Sequence, residues 1–289
     1  MDQAARIPAD LSVGQCATLA CLLEVIATKP GNVHRAADFE DLGLLDFAVS
    51  SAAIEPAIAL AHQQGVGAAV LQATRATQDL VQSNTNLGTI LLLAPLAAVS
   101  AEMPLVEGLP GVLANLQPAD AAAVYEAIRL ASPGGLGKVD EMDVAGASPP
   151  DLLTAMRHAA DHDLVARQYT NGFEQVFGLV APRIVEGCQC GLSLTTAVID
   201  AHIFLMAQHP DSLIARKCGQ AVAVASSERA ARVIAAGQPN SDAYSRAASD
   251  LDFWLRSDGH RRNPGTSADL IAAALFVALR ERWVTPPFR

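Results

Sequence analysis

Along most of this chain apolar residues recur at intervals of three and four, the spacing that lines up one face of an α-helix. The first run carries Leu11, Cys16, Leu19, Leu23 and Ile26, with Asp10 or Ser12 placed to cap its start and Lys29-Pro30-Gly31 to end it. Further helical patterns cover 46–63, 67–82, 87–102, 118–131, 150–161, 163–177, 178–188, 191–208, 211–236, 241–256 and 266–282. No run joins two-residue alternation to β-branched or aromatic enrichment, and no Asn-Gly or Asp-Gly turn sits between two such runs. The pattern predicts an all-α fold, a bundle of about ten to twelve helices. With no internal repeat and no Pro/Ser/Gly linker, residues 1–289 read as a single domain.

Composition adds the character of the core. Apolar residues make up 51% of the chain but aromatics only 4%, so Ala, Leu, Val and Ile must fill the interior, with helices pressed together through small side chains. A net charge of −10 argues against nonspecific binding to nucleic acid or to an anionic membrane; an anionic ligand must be held locally by a few cations or backbone N–H groups. Five cysteines (Cys16, Cys21, Cys188, Cys190, Cys218) show no CxxC spacing, which suits a reducing compartment rather than a disulfide or zinc framework. The N-terminus lacks the basic start and apolar stretch of a signal peptide. The most apolar run, Leu87 to Ala101, is shorter than the roughly 20 residues that span a bilayer, and it contains Pro95. The expectation is a buried helix in a cytoplasmic protein, whose Ala-rich surface is compatible with a homodimer.

Four segments depart from this core-like composition: 28–46, 83–89, 132–147 and 257–269. Chemistry belongs there, because loops on a rigid scaffold commonly carry functional groups. In the first, Glu24 precedes Lys29, His34 and Arg35; the cations can hold phosphate while Glu24, Asp38 or Asp46 does proton or metal work, or the whole is a solvated helix stop. The second, Ser83-Asn84-Thr85-Asn86-Leu87-Gly88, precedes an apolar helix and reads as a cap or as an anion-binding helix N-terminus. The third combines Gly134, Gly135 and Gly137 with Lys138 and then Asp140, Glu141 and Asp143, without the spacing of a P-loop. Asp140 and Asp143 suit Mg²⁺, which takes one or two carboxylates and leaves the rest of its shell to phosphate and water. The fourth runs from Arg261 and Arg262 to Thr266 and Ser267, either of which is expected to cap the following helix, with Asp269 in its first turn. A lesser segment, 209–219, offers Arg216 and Lys217, and the scattered His62, His158, His162 and His202 are assigned no role. There is no GxSxG, HExxH or strand-borne GxGxxG motif.

Taken in order, EVIATKPGNVHR, SNTNLGTILLLAPL, SPGGLGKVDEMDV, HPDSLIARKCG and NPGTSADLIAAALF resemble the triphosphoribosyl-dephospho-CoA synthase family over nearly the whole chain. The resemblance implies an all-helical transferase that joins ATP to dephospho-CoA, releases adenine, and so makes the precursor of an acyl-carrier prosthetic group. It implies Mg²⁺ at Asp140 and Asp143, with Glu24, Asp38 and Asp46 as the catalytic carboxylates. The nucleotide and phosphate ligands it suggests are Lys29, Gly31, Asn32, His34, Arg35, Asn84, Thr85, Asn86, Gly88, Gly134, Gly135, Lys138, Arg216 and Ser267.

Two motifs differ from the family's familiar forms. Asn32-Val33-His34-Arg35 follows Lys-Pro-Gly where a PKPGLVD-like sequence is usual, and Thr85-Asn86-Leu87-Gly88-Thr89 replaces a THKGAIF-like one, so Leu87 stands in place of a lysine. The NTNLG form is similar to a divergent branch. Two other functions therefore stand beside the first: a nucleotide-dependent transferase or ligase in methanopterin- or methanofuran-type cofactor synthesis, and a non-catalytic nucleotide-binding helical protein.

Overall fold

The computed structural model describes residues 10–132, 146 and 148–288. Helix α1 (Val13–Ile26) starts at Ser12, whose hydroxyl accepts the Gln15 N–H at 3.1 Å while the Gln15 side chain accepts the Ser12 N–H at 2.9 Å. This reciprocal cap selects Ser12 over Asp10 as the helix start. The run expected at 46–63 is three helices, α2 (Leu44–Ala53), α3 (Glu55–Ala59) and α4 (Ala61–Gln64). Pro56, in the first turn of α3, has no N–H with which to continue the ladder of α2. Helices α5 (Val66–Val81) and α6 (Leu87–Ala97) follow close to their expected positions.

The pattern does not predict α7 (Leu105–Ala114), because two glycines and Pro110 obscure it. The helix forms nonetheless: Leu105, Leu109 and Leu113, four apart, are buried, and Glu281 accepts the Leu105 N–H at 2.8 Å. Next come α8 (Pro118–Ala131), α9 (Leu152–Ala159) and α10 (Leu164–Asn171), the last stopped by Gly172 at φ 70°. A π-helical turn, Val176–Val180, leads into α11 (Ala181–Gln189), then α12 (Leu194–Gln208). Gly219, at φ 91°, divides the run expected at 211–236 into α13 (Ser212–Cys218) and α14 (Gln220–Ala235). Finally α15 (Asp242–Arg256) and the extended segment β1 (Ser257–His260) precede α16 (Gly265–Arg280). The described residues thus form sixteen α-helices rather than ten to twelve. The excess over twelve comes from the breaks at Pro56, Leu60 and Gly219 and from α7.

At the centre lie α6 and α16, buried on all sides and therefore without an amphipathic stripe. Pro95 removes the N–H that would bond to the Leu91 carbonyl; the Tyr169 hydroxyl donates to that carbonyl instead, at 2.6 Å. Helix α1 packs on α16 and α2, α5 on α8, and α12 on α14. A second, smaller apolar cluster joins α12 through α15, and Ile199 touches both clusters. No helix among the described residues is long and apolar enough to cross a membrane.

The loop after α1 is fastened to α15. Asp252 Oδ1 accepts the Gly31 N–H at 2.7 Å and the Arg256 Nε–H at 2.9 Å, and Arg256 Nη2 donates to the Asn32 carbonyl. Gly31 adopts φ 77°, and a Cβ there would meet Leu255 and Pro264 at 2.8–2.9 Å, so glycine answers both the turn and the packing.

Candidate active site

A cleft of about 880 Å³ opens where the C-terminal ends of α1 and α8 face the N-terminal ends of α6, α10 and α16, with α9 and α13 closing its sides. Three helix N-termini at one cleft favour an anion, since each presents unpaired N–H groups and partial positive charge. Two of them already carry acidic caps: Asp163 accepts N–H groups of α10, and Asp211 accepts the Ser267 N–H at 2.7 Å. At α6, by contrast, Asn86 makes no capping hydrogen bond, while Asn84 Oδ1 accepts the Leu87 N–H at 3.2 Å.

Glu24 lies on the last turns of α1 and lines the cleft, its side chain 13% exposed. Behind it Lys29 is fully buried, its ammonium 2.7 Å from Glu24 Oε1. The same ammonium donates to the Glu24 carbonyl at 2.5 Å and towards the Ala27 carbonyl at 3.5 Å, so it satisfies the open end of α1 as well as the carboxylate. Burial, and then the charge of Lys29, push the pKa of the fully buried His202 imidazole well down, which keeps that ring neutral.

On the first turns of α16, which packs against α1, Asp269 also lines the cleft. Thr89 Oγ1 donates to its Oδ1 at 2.7 Å. A Cβ at position 88 would overlap Asp269 Oδ2 and stand 2.6 Å from its Cγ, so only glycine admits this carboxyl group against α6. Burial pushes the Asp269 pKa up to about 8, with Glu24, Asp211 and Asp163 adding to the rise and the Thr89 hydrogen bond opposing it.

Polar side chains complete the walls. Thr85 Oγ1 lies 2.5 Å from Ser50 Oγ, and Arg216 Nη1 lies 2.5 Å from Asp163 Oδ2, with Lys217 beside it on the same wall. Three cleft residues hold buried polar atoms without a hydrogen-bond partner among the described residues: Asn32 Oδ1, Asn86 Nδ2 and Arg216 Nε. Buried polar groups are normally satisfied, so an acceptor and two donors left open around one cleft point to a ligand. Among the described residues no three His, Cys, Asp or Glu side chains gather as a metal cage.

Of the residues selected from sequence, Glu24, Asn32, Asn84, Thr85, Asn86, Gly88 and Arg216 meet at this cleft. Others do not line it. Lys29 sits behind Glu24, and Gly31 is packed against α15. The buried His34 accepts the Ala36 N–H at Nδ1, 3.2 Å away, and lies 3.2 Å from Arg256; burial, then Arg256, lower its pKa. Arg35 and Asp38 are exposed. Asp38 Oδ1 accepts the Leu44 N–H at 2.7 Å and Asp46 Oδ2 accepts the Gly43 N–H at 2.8 Å, both ordering the start of α2. Ser267 is buried against Asp211, its hydroxyl donating to Oδ2 at 2.8 Å. Gly134, Gly135, Lys138, Asp140 and Asp143 lie outside the described residues.

Sequence reasoning missed Asp269, read as a helix-start charge, and passed over His158 and His162, which line the cleft from α9 and the turn before α10. The available signal was the Gly88–Thr89 pair: a glycine followed by a hydroxyl at the start of a helix leaves room and a donor for an acid from elsewhere in the chain. Leu87, at the position where the family's familiar motif has lysine, is 6% exposed and packs in the main core.

Comparison with curated proteins finds no match. Among solved structures, a crystal structure from Archaeoglobus fulgidus provisionally named triphosphoribosyl-dephospho-CoA synthase is similar, with a TM-score of 0.63 and 26% identity, covering 81% of this chain and 99% of that one. The family model described as CitG, ATP:dephospho-CoA triphosphoribosyl transferase, matches residues 10–287, and the chain belongs to that family.

Proposed function

We propose that this cleft joins ATP to dephospho-CoA through C1′ of the ATP ribose, with release of adenine. The observation that carries the reading is the Glu24 carboxylate, gripped from behind by a fully buried lysine and lining a cleft that Arg216 and Lys217 also line. The start of α6, which carries no acidic cap, and those two cations receive the triphosphate, which is how a protein of net charge −10 holds a polyanion locally. Asn32 and Asn86 offer their open acceptor and donor to the sugar or base.

Ribosyl transfer passes through an oxocarbenium-like state, for which a fixed carboxylate supplies charge stabilisation and takes the proton of the incoming hydroxyl. Lys29 holds Glu24 for both tasks without itself touching substrate. Mg²⁺ belongs to this reading as the ion carried by the triphosphate, with Asp140 and Asp143 as its expected ligands. A cytoplasmic location and a homodimer are part of the same proposal, the latter checked by sedimentation.

The test is Glu24→Gln. Adenine release should fall about 10²–10⁴-fold, the usual contribution of a general base, while calorimetric affinity for ATP stays within about threefold, under 1 kcal/mol. Normal turnover in this variant would remove Glu24 from the chemistry.

A further inference from the structure

We infer that Asp269 is the general acid that protonates the departing adenine, with Glu24 as its opposite number on the acceptor side. The inference rests on the ribosyl-transfer reading above and assigns the half of the reaction that Glu24 does not serve.

The two carboxyl groups share one cleft but not one environment. Glu24 has a cation 2.7 Å away, held in place by burial. Asp269 has no ion-pair partner among the described residues; the groups acting on it are the carboxylates of Glu24, Asp211 and Asp163, which repel a charge there, and the Thr89 hydroxyl, which binds Oδ1 alone. That leaves Oδ2 to carry a proton, and Oδ2 is the atom pressed over Gly88 in the first turn of α6. Its raised pKa agrees: a carboxyl group that titrates near 8 is mostly protonated at neutral pH. A carboxylate paired with a cation and a carboxyl group facing other carboxylates suit the roles of base and acid.

The step balances. The bond from ribose C1′ to the purine breaks with its electron pair going to adenine, and the Asp269 proton neutralises the leaving base at a ring nitrogen. The acceptor hydroxyl oxygen bonds to C1′ and its proton passes to Glu24. Transfer of that proton from Glu24 to Asp269 through cleft water restores both groups, so the net proton moves from hydroxyl to adenine.

The experiment compares Asp269→Asn with the unmodified enzyme on two donors: ATP, whose base leaves as a neutral purine only if protonated, and 4-nitrophenyl riboside 5′-triphosphate, whose phenolate leaves without a proton. Adenine release from ATP should fall about 10²–10⁴-fold, while 4-nitrophenolate release stays within about threefold. An equal fall on both donors, or no fall on ATP, overturns the assignment. If the unmodified enzyme frees no adenine from ATP, the ribosyl-transfer reading itself fails, which separates the two failures. Retained 4-nitrophenolate release also reports that the variant is folded.

Discussion

Replacing Lys29 by Met tests the structural heart of the site. At 2.7 Å the Lys29–Glu24 attraction is about 6 kcal/mol at an effective dielectric constant near 20. Much of this is offset by the desolvation of a wholly buried ammonium, so the pair's net contribution is far smaller than its Coulomb energy. Removing one partner is a different matter, because the other charge is left behind. Methionine fills the volume of the lysine stem without its charge, so no cavity term enters. The loss comprises an unpaired Glu24 carboxylate and the hydrogen bond to the Glu24 carbonyl, 2.5 Å long. A buried pair broken in this way costs about 3–5 kcal/mol; the 13% exposure of Glu24 to cleft water puts the expectation at the lower end, about 3 kcal/mol. Urea unfolding of Lys29→Met, Glu24→Gln and the double variant measures it. The double variant should be more stable than the sum of the single losses predicts, by about 1–3 kcal/mol. Additivity within about 0.5 kcal/mol would refute the pairing.

Three further outcomes are expected. Gly88→Ala should drive the Asp269 carboxyl out of its seat and lower turnover at least tenfold, with the loss of unfolding free energy held below about 2 kcal/mol because a short side chain can swing aside. Asp269 has a folded-state pKa raised to about 8, so its contribution favours the fold at low pH and is lost as pH rises through that value. Asp269→Asn does not titrate there, and its urea midpoint should therefore improve relative to the unmodified protein between pH 5 and pH 8; a constant difference would contradict the shift. Arg216→Gln should weaken ATP binding about tenfold, or 1.4 kcal/mol, by calorimetry, yet change stability by less than about 1 kcal/mol, since its pair with Asp163 is partly exposed.

Much of this was legible in the sequence, for reasons that the structure makes plain. Helices α8 and α15 fall where the three-and-four spacing puts them, because packing and period agree there. Helix α7 was not legible: its leucines keep the period, but glycine and Pro110 contradict it, and burial in the core decides the outcome. At the site, the chemistry-rich segments 28–46, 83–89 and 257–269 supply residues to the cleft, while the place of each side chain was not legible. Lys29 reads as a cation free to hold phosphate, and nothing in a linear string says that it turns inward to close α1. Asp269 becomes visible only when α16 is laid against Gly88, 181 residues away by number. His34, Asp38 and Asp46 carry the right functional groups, yet the structure uses them to hold a loop and start a helix.

The most direct measurement is chromatographic and mass-spectrometric analysis of products after incubating the purified protein with ATP, Mg²⁺ and dephospho-CoA. The account predicts free adenine and, in equal amount, an adduct that retains all three phosphates of ATP on its ribose. ADP or AMP in place of adenine, or saturable ATP binding with no product at all, would contradict it.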